Sequence, residues 1–209
     1  MNNNRGKFIV FEGIDGSGKS TQVKRLANRL IKEKKNICKT FEPTDGPIGS
    51  LARQMMTGRI KADNKTIALL FAADRIDHLL NDINGIVSML KKGINVISDR
   101  YYFSSYAYQS SYIKMERIIE ANIISAQTMR PDVNIFIDIN PQTAFNRLKK
   151  KRSLLELYEN ITDMQKVRKS YFKAFDKLKN EEKILIIDGN DAPDNIELKI
   201  WNNINKLLT

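Results

Sequence analysis

Five short apolar runs punctuate the chain: Phe8–Phe11, Ile37–Phe41, Ile94–Ser98, Val133–Ile139 and Ile184–Ile187. Each is rich in Val, Ile or Phe and shows little apolar–polar alternation. That pattern predicts strands covered on both faces, as in a parallel sheet. Between the runs the period changes. Val23, Leu26, Ala27, Leu30 and Ile31 recur at helical spacing. So do Ile67, Leu70, Phe71 and the Asp74-Arg75 pair, in a longer helix reaching about Lys91. Ile118, Ile119, Asn122 and Ile123 predict another helix, Met164, Val167, Tyr171, Phe175 and Leu178 a late one, and Ile196–Leu208 the last. Alternating strand and helix predicts an α/β sandwich around a mainly parallel five-stranded sheet. Ligands of such sheets sit beyond the carboxyl ends of the strands, so chemistry is expected directly after each apolar run.

The first run is followed by Gly13-Ile14-Asp15-Gly16-Ser17-Gly18-Lys19-Ser20, which fits G-x-x-x-x-G-K-[ST] at every fixed position, and Ser20–Lys34, with Thr21 in its first turn, reads as an amphipathic helix. Strand, glycine loop and helix come in the order that phosphate binding requires. The glycines let backbone N–H groups turn inward around phosphate oxygens, and the helix N-terminus adds its partial positive charge. Lys19 supplies a mobile charge for the β- and γ-phosphates from a loop expected to face solvent, and Ser20 offers a hydroxyl to Mg²⁺. A nucleoside triphosphate or another phosphate is the expected ligand, with Mg²⁺ as cofactor. The loop alone does not choose the reaction.

After the third run comes Asp99-Arg100-Tyr101. A carboxylate at a strand end can hold Mg²⁺ or its waters, and the adjacent arginine can clamp a phosphate. Phe71 and Arg75 share a helix face at i, i+4 spacing. An aromatic plate beside a guanidinium suits a nucleobase with a polar edge; a core Phe71 with a solvated Arg75 fits the spacing equally. The run Ser104-Ser105-Tyr106-Ala107-Tyr108-Gln109 adds hydroxyls, a phenol and an amide, or is simply a polar loop.

Together these motifs resemble the thymidylate kinases over nearly the whole chain. The resemblance is carried by Phe11-Glu12 through Thr21, by Glu42-Pro43 with Pro47, Gly49 and Arg53, and by Leu70–Arg75. It continues with Asp99-Arg100-Tyr101 followed by Ser104 and Ala107-Tyr108-Gln109, then Arg130-Pro131-Asp132 and Phe136-Ile137-Asp138 leading to Arg147. It implies a P-loop kinase fold with a helical lid, expected at about residues 149–160, and γ-phosphoryl transfer from ATP to dTMP for dTTP biosynthesis. It also implies that Asp15 meets the sugar 3′-hydroxyl, Phe71 stacks on thymine, Arg75 and Ser105 lie near the base edge and Arg100 holds the monophosphate. Tyr108 would crowd a ribose 2′-hydroxyl. Pro43, Arg53, Ser104 and Gln109 complete the acceptor-site candidates, and a homodimer is implied by resemblance alone. Two departures stand out. The family often carries a basic residue beside Glu-Pro, where this chain has Phe41 and Thr44-Asp45; Arg53 is the nearest replacement. Gly16 stands where some relatives place an arginine, so the catalytic cation beyond Lys19 and Arg100 is expected from the lid: Arg152, then Lys151 or Arg147.

Competing classes are weaker. Asp82-Ile83-Asn84-Gly85 matches a GTPase D-x-x-G but falls in helical sequence, and no N-K-x-D occurs. His78, the only histidine, has no cysteine partners for zinc and reads as solvated or helix-bonded. The net charge of +11 comes from lysines spread along helices, without the interleaved aromatics of single-strand binders. A nucleic-acid-dependent ATPase is therefore disfavoured and no nucleic-acid partner is expected. A silent nucleotide-binding regulator is disfavoured by the intact Lys19, Ser20, Asp99 and Arg100 set. Another nucleotide or deoxynucleoside kinase remains the alternative. The 209 residues read as one domain, 1–209, with no repeat or linker. No apolar run approaches the roughly 20 residues of a membrane helix. The start is too short for a secretory signal, and the single Cys38 cannot form an internal disulfide, so a cytoplasmic location is expected.

Overall fold

The structure is a computed structural model that describes residues 5–151 and 160–208. It holds one five-stranded sheet, all parallel, in the order β2-β3-β1-β4-β5: β1 is Phe8–Glu12, β2 Ile37–Phe41, β3 Asn95–Asp99, β4 Val133–Asp138 and β5 Ile184–Asp188. Ten α-helices lie among the described residues. In chain order they are α1 (Lys19–Lys32), α2 (Pro47–Met56), α3 (Asn64–Leu80), α4 (Ile86–Lys91), α5 (Tyr102–Tyr108), α6 (Met115–Ala121), α7 (Ile123–Thr128), α8 (Pro141–Lys151), α9 (Ile161–Leu178) and α10 (Pro193–Ile204). None is long and apolar enough to cross a membrane.

Strand period 2 divides the core. Phe8 and Val10 face an aromatic layer from α5 and α9, including Tyr102, Phe103, Tyr171 and Phe175. Ile9 and Phe11 face the other side, where Leu26 and Leu30 of α1 meet Ile196 and Ile200 of α10. The expectation of strands covered on both faces holds for β1, β3 and β4 and fails for the edges. Phe41 of β2 is 41% exposed and Ile186 of β5 is 48% exposed, because an edge strand has a neighbour on one side only.

Two expected helices are each broken in two. The segment expected to reach Lys91 stops at Leu80: the Asn81 side chain accepts from the N–H groups of Ile83 and Asn84, and Gly85 then caps α4. Such local side-chain bonds compete with the helical ladder. The helix expected across 118–123 breaks at Asn122, which closes α6 and opens α7. Four strands end on a carboxylate: Glu12, Asp99, Asp138 and Asp188. With β1 seated between β3 and β4, its carboxyl end lies where the connections change direction, the usual place for a ligand crevice in such sheets.

Candidate functional site

The loop after β1 turns on three left-handed glycines, Gly13 (φ 148), Gly16 (φ 77) and Gly18 (φ 98). Gly16 also lies against α8. A Cβ there would sit 2.5 Å from the Ala144 carbonyl oxygen, so no side chain fits without moving the helix. This is a steric reason for the missing loop arginine. Ser17 and Gly18 lead into α1, where Ser20 and Thr21 stand exposed in the first turn. Lys19 does not face solvent as expected. It is buried, and its Nζ donates to the carbonyls of Gly13 (2.9 Å) and Ile14 (3.0 Å). Burial, with the Arg100 cation beside it, pushes the Lys19 ammonium down to about 8, against the pull of Asp15, Asp99 and Glu12.

Ser20 and Asp99 come together at the mouth of the loop, the hydroxyl donating to Asp99 Oδ2 at 2.5 Å. Two hard oxygen donors beside a phosphate loop are the donor set Mg²⁺ takes when nucleotide phosphates and water supply its remaining ligands. The residues therefore fit the ion. Among the described residues no cluster of three or more metal-ligating side chains competes with them.

Arg100 follows β3 with φ 77, a conformation that costs a non-glycine residue about 1–3 kcal/mol unless its surroundings hold it. Its N–H donates to the Phe11 carbonyl at 2.8 Å, and the Ser98 hydroxyl donates to its carbonyl at 2.7 Å. The guanidinium is ion-paired with Asp15 and lies 2.9 Å from Ser104 Oγ and 3.1 Å from the Tyr108 phenol. Tyr108 in turn donates to Asp15 at 2.8 Å. Burial alone would raise the Asp15 carboxyl, but Arg100 and Lys19 outweigh it and hold the group below the usual carboxylate range.

Beneath this triad lies a residue whose role is not legible from its place in the strand. Glu12 is fully buried; it accepts from the N–H of Tyr101 (2.9 Å), from Ser104 Oγ (2.6 Å) and from the Tyr171 phenol of α9 (2.9 Å). Burial raises its carboxyl despite these bonds. It fixes the turn that carries Arg100 and brings Tyr171 to 3.4 Å from the guanidinium. Tyr171 reads in sequence as one more apolar stripe position, and its phenol was the only available signal.

A cavity of about 1090 Å³ opens beside Arg100 between the 42–62 segment, α3 and α5. Asp15, Pro43, Phe71 and Arg75 line it, as do Arg100, Ser104, Ser105, Tyr108 and Gln109. Arg53 lies outside the lining: it donates to the Thr44 carbonyl at 2.7 Å and pairs with Asp45. Arg75 is neither solvated nor loosely held. It is 1% exposed, donates from Nε to Glu42 Oε2 at 2.7 Å and from Nη2 to Ser105 at 3.2 Å, and bonds Asn122 from Nη1. Phe71 is half-buried on the same wall. Gln109 is 8% exposed and its Oε1 has no hydrogen-bond partner, which leaves a buried acceptor in the cavity wall. His78, expected solvated or helix-bonded, is buried against Glu42 and Thr40. Arg147 of α8 donates to the Gly189 carbonyl after β5 at 3.2 Å and does not line the cavity. Arg152 and the side chain of Lys151 lie outside the described residues, as does most of the expected lid.

A family model described as thymidylate kinase matches residues 11–200. A probable thymidylate kinase of Methanocaldococcus jannaschii is 39% identical over 181 residues, covering 87% of this chain and 86% of that protein. One from Methanococcus aeolicus is 37% identical over 206 residues, covering 97% and 96%. A thymidylate kinase of Desulfotalea psychrophila is 38% identical over 167 residues, covering 79% and 77%.

Proposed function

The chain belongs to the thymidylate kinase family and has its activity, phosphorylation of dTMP by ATP; we propose that the acceptor occupies the cavity beside Arg100 and the donor the glycine loop. The observation that carries this reading is Asp15, a loop residue bonded to both Arg100 and Tyr108 of the cavity, so that donor and acceptor sites share a wall.

In this reading the dTMP phosphate meets Arg100, and the 3′-hydroxyl takes a place on Asp15. Tyr108 closes the space a 2′-hydroxyl would need. Phe71 supplies the plate for the base. The base edge explains two further features. Arg75 has five N–H donors, of which protein partners use three, leaving two for an acceptor such as thymine O4. Gln109 Oε1 is an orphan acceptor suited to a ring N–H. Cytosine reverses both polarities, presenting a bare ring nitrogen and an amino group, and would leave buried groups unpaired. Lys19 leaves its loop carbonyls for the ATP phosphates. Ser20 and Asp99 would hold Mg²⁺, which would supply charge neutralisation at the ATP phosphates. The acceptor is already an anion, so no strong base is needed, and the protein's part is positioning and charge stabilisation. The loop has no room for an arginine at Gly16, so a cation from Arg147–Arg152 covers the transferring phosphate.

The chain is read as one kinase domain that works as a homodimer. An outward stripe of α3 supports the pairing: Leu69 is 60% and Leu80 52% exposed, and Ile123 and Ile124 of the adjoining α7 are 49% and 54% exposed. A single coupled assay tests the substrate. ATP is offered with dTMP, dUMP, dCMP, dGMP and thymidine, and rates are compared. A preference for any acceptor over dTMP would overturn the assignment, and light scattering on the same sample tests the dimer.

A further inference from the structure

A buried cation is tolerated only when paired and hydrogen-bonded. Among the described residues Glu42 is the one carboxylate paired with Arg75, at 2.7 Å, and the two side chains are 2% and 1% exposed. Glu42 has a second oxygen, and it too is occupied. Oε1 faces Nδ1 of His78 at 3.1 Å, while Nε2 of the same ring faces the Thr40 hydroxyl at 2.6 Å. An ionised carboxylate only accepts, so Nδ1 carries the hydrogen and donates. Arg75 and His78 lie three residues apart on α3, hence on one helix face, and the Glu42 carboxylate is gripped between them. Its terminal torsion is of the broad sp³–sp² kind, with no strong preference of its own. Arg75 on Oε2 and His78 on Oε1 fix that torsion together, so losing the grip from His78 loosens the line along which Nε of Arg75 is held.

We propose that His78 is a positioning residue for base selection: through Glu42 it sets the plane of the Arg75 guanidinium, and so the direction of the two N–H donors left for the base. The proposal rests on the reading of Arg75 as the base-edge contact. It gives a task to the chain's one histidine and to Thr40 behind it, neither of which touches the cavity.

The test compares dTMP with 5-methyl-dCMP, which keeps the methyl group, sugar and phosphate and reverses only the polar edge. Three variants separate the contacts. His78→Asn puts a carboxamide nitrogen where Nδ1 stood and keeps the bond to Glu42. His78→Gln reaches the position of Nε2 and keeps only Thr40. His78→Leu keeps neither. The wild type should favour dTMP in kcat/KM by about a hundredfold or more. That ratio should narrow by about tenfold in His78→Gln and His78→Leu and stay within about threefold of wild type in His78→Asn. The KM for ATP should not move in any of them. A purely structural histidine would lower both nucleotides together and leave the ratio alone. An unchanged ratio in folded His78→Gln overturns the proposal even where His78→Leu fails to fold, and so does an equal collapse in His78→Asn. A wild type that does not separate the two nucleotides refutes the base-edge role of Arg75 itself, and the proposal falls with it.

Discussion

Lys19 is expected to make ATP binding depend on pH in a range where ATP itself does not titrate. In the free protein the ammonium is buried, stands near Arg100 and loses its proton at about 8 rather than at its ordinary value near 10.5. Bound triphosphate supplies negative charge at the loop, which favours the protonated form, so binding above that pH must take up a proton. If ATP binds only the ammonium form, the apparent dissociation constant grows as one plus the ratio of neutral to charged lysine. From pH 7 to pH 9 that factor rises from about 1.1 to about 11, a tenfold loss of affinity or about 1.4 kcal/mol. The assay is calorimetric titration of the protein with Mg-ATP, without acceptor, at pH 7, 8 and 9. Buffers of different ionisation enthalpy report the protons taken up, which should approach one per site at pH 9. Lys19→Met should bind weakly and with no slope. An affinity that is flat from pH 7 to 9, with no proton uptake, would refute the account of the buried lysine.

The same displacement predicts an effect of definite sign on stability. The folded value near 8 lies below the unfolded one, so between pH 8 and 10.5 the unfolded chain binds more protons and stability rises with pH. The cost of burying the ammonium is fully present below pH 8. It is on the order of 3 kcal/mol from the size of the shift. Nucleotide-free Lys19→Met should therefore be more stable than wild type at pH 7, by an amount that shrinks toward pH 10. Urea titrations at the two pH values read this directly, and a Lys19→Met protein less stable at pH 7 would show that the loop carbonyls repay the burial.

Other expectations follow from single contacts. Tyr108→Ala should narrow the preference for dTMP over its ribo-analogue by roughly tenfold to a hundredfold, while Tyr108→Phe, which keeps the ring, should change it little; equal ratios in wild type and Tyr108→Ala would put the sugar gate elsewhere. Gly16→Ala should weaken ATP at least about tenfold and dTMP far less, because the new methyl meets a backbone oxygen of α8 at 2.5 Å in a left-handed position; unaltered ATP affinity by titration would contradict the tight contact. Phe71→Ala should weaken dTMP by about 1–3 kcal/mol of lost stacking with ATP unaffected, and equal losses would make Phe71 a core residue. Arg152→Ala or Arg147→Ala should lower turnover by about 10³ with dTMP binding nearly unchanged; losses under tenfold in both would send the search for the cation back to Arg53, Arg75 and Arg100.

The sheet was legible because its strands are apolar runs separated by helical periods, and all five runs became strands. Their ends were not. Glu12, Asp99 and Asp188 continue their strands one residue past the apolar run, since a strand at the carboxyl edge of a sheet can hold its ladder bonds while its side chain turns to a ligand or a neighbour, whereas β4 stops at Asp138, one residue short of the run that reached Ile139. The glycine loop was legible for the opposite reason, since its chemistry is local and contiguous. What could not be read were contacts made across distance. Glu12 meets Tyr171 from 159 positions away, Arg75 meets Asn122 from 47, and His78 meets Thr40 from 38. Each of these residues has an adequate bland explanation in its own element: a strand end, a helix stripe, a solvated histidine. Only tertiary packing turns them into one polar layer beneath the cavity.

That layer bears on how the site is tuned without ligands. Among the described residues, the groups proposed to meet the nucleotide phosphates or the metal are already engaged by other protein groups: Lys19 by loop carbonyls, Ser20 by Asp99, Arg100 by Asp15 and Tyr108. Binding is thus an exchange of partners rather than a capture by bare charges, which limits the cost of keeping cations buried in the empty protein. It also ties the two halves together. Asp15 belongs to the loop that cradles the donor, yet its carboxylate holds the cation assigned to the acceptor phosphate. In the proposed arrangement, a sugar hydroxyl on Asp15 and a phosphate on Arg100 would loosen the pair on both sides at once. The charge released at Arg100 then faces the loop at the moment the donor phosphates occupy it. A fixed Arg100, strained at φ 77 and pinned from below by Glu12 through the Tyr101 N–H, cannot follow Asp15 away. On that proposal the positive charge would stay between the two phosphates, where the transferring group needs it.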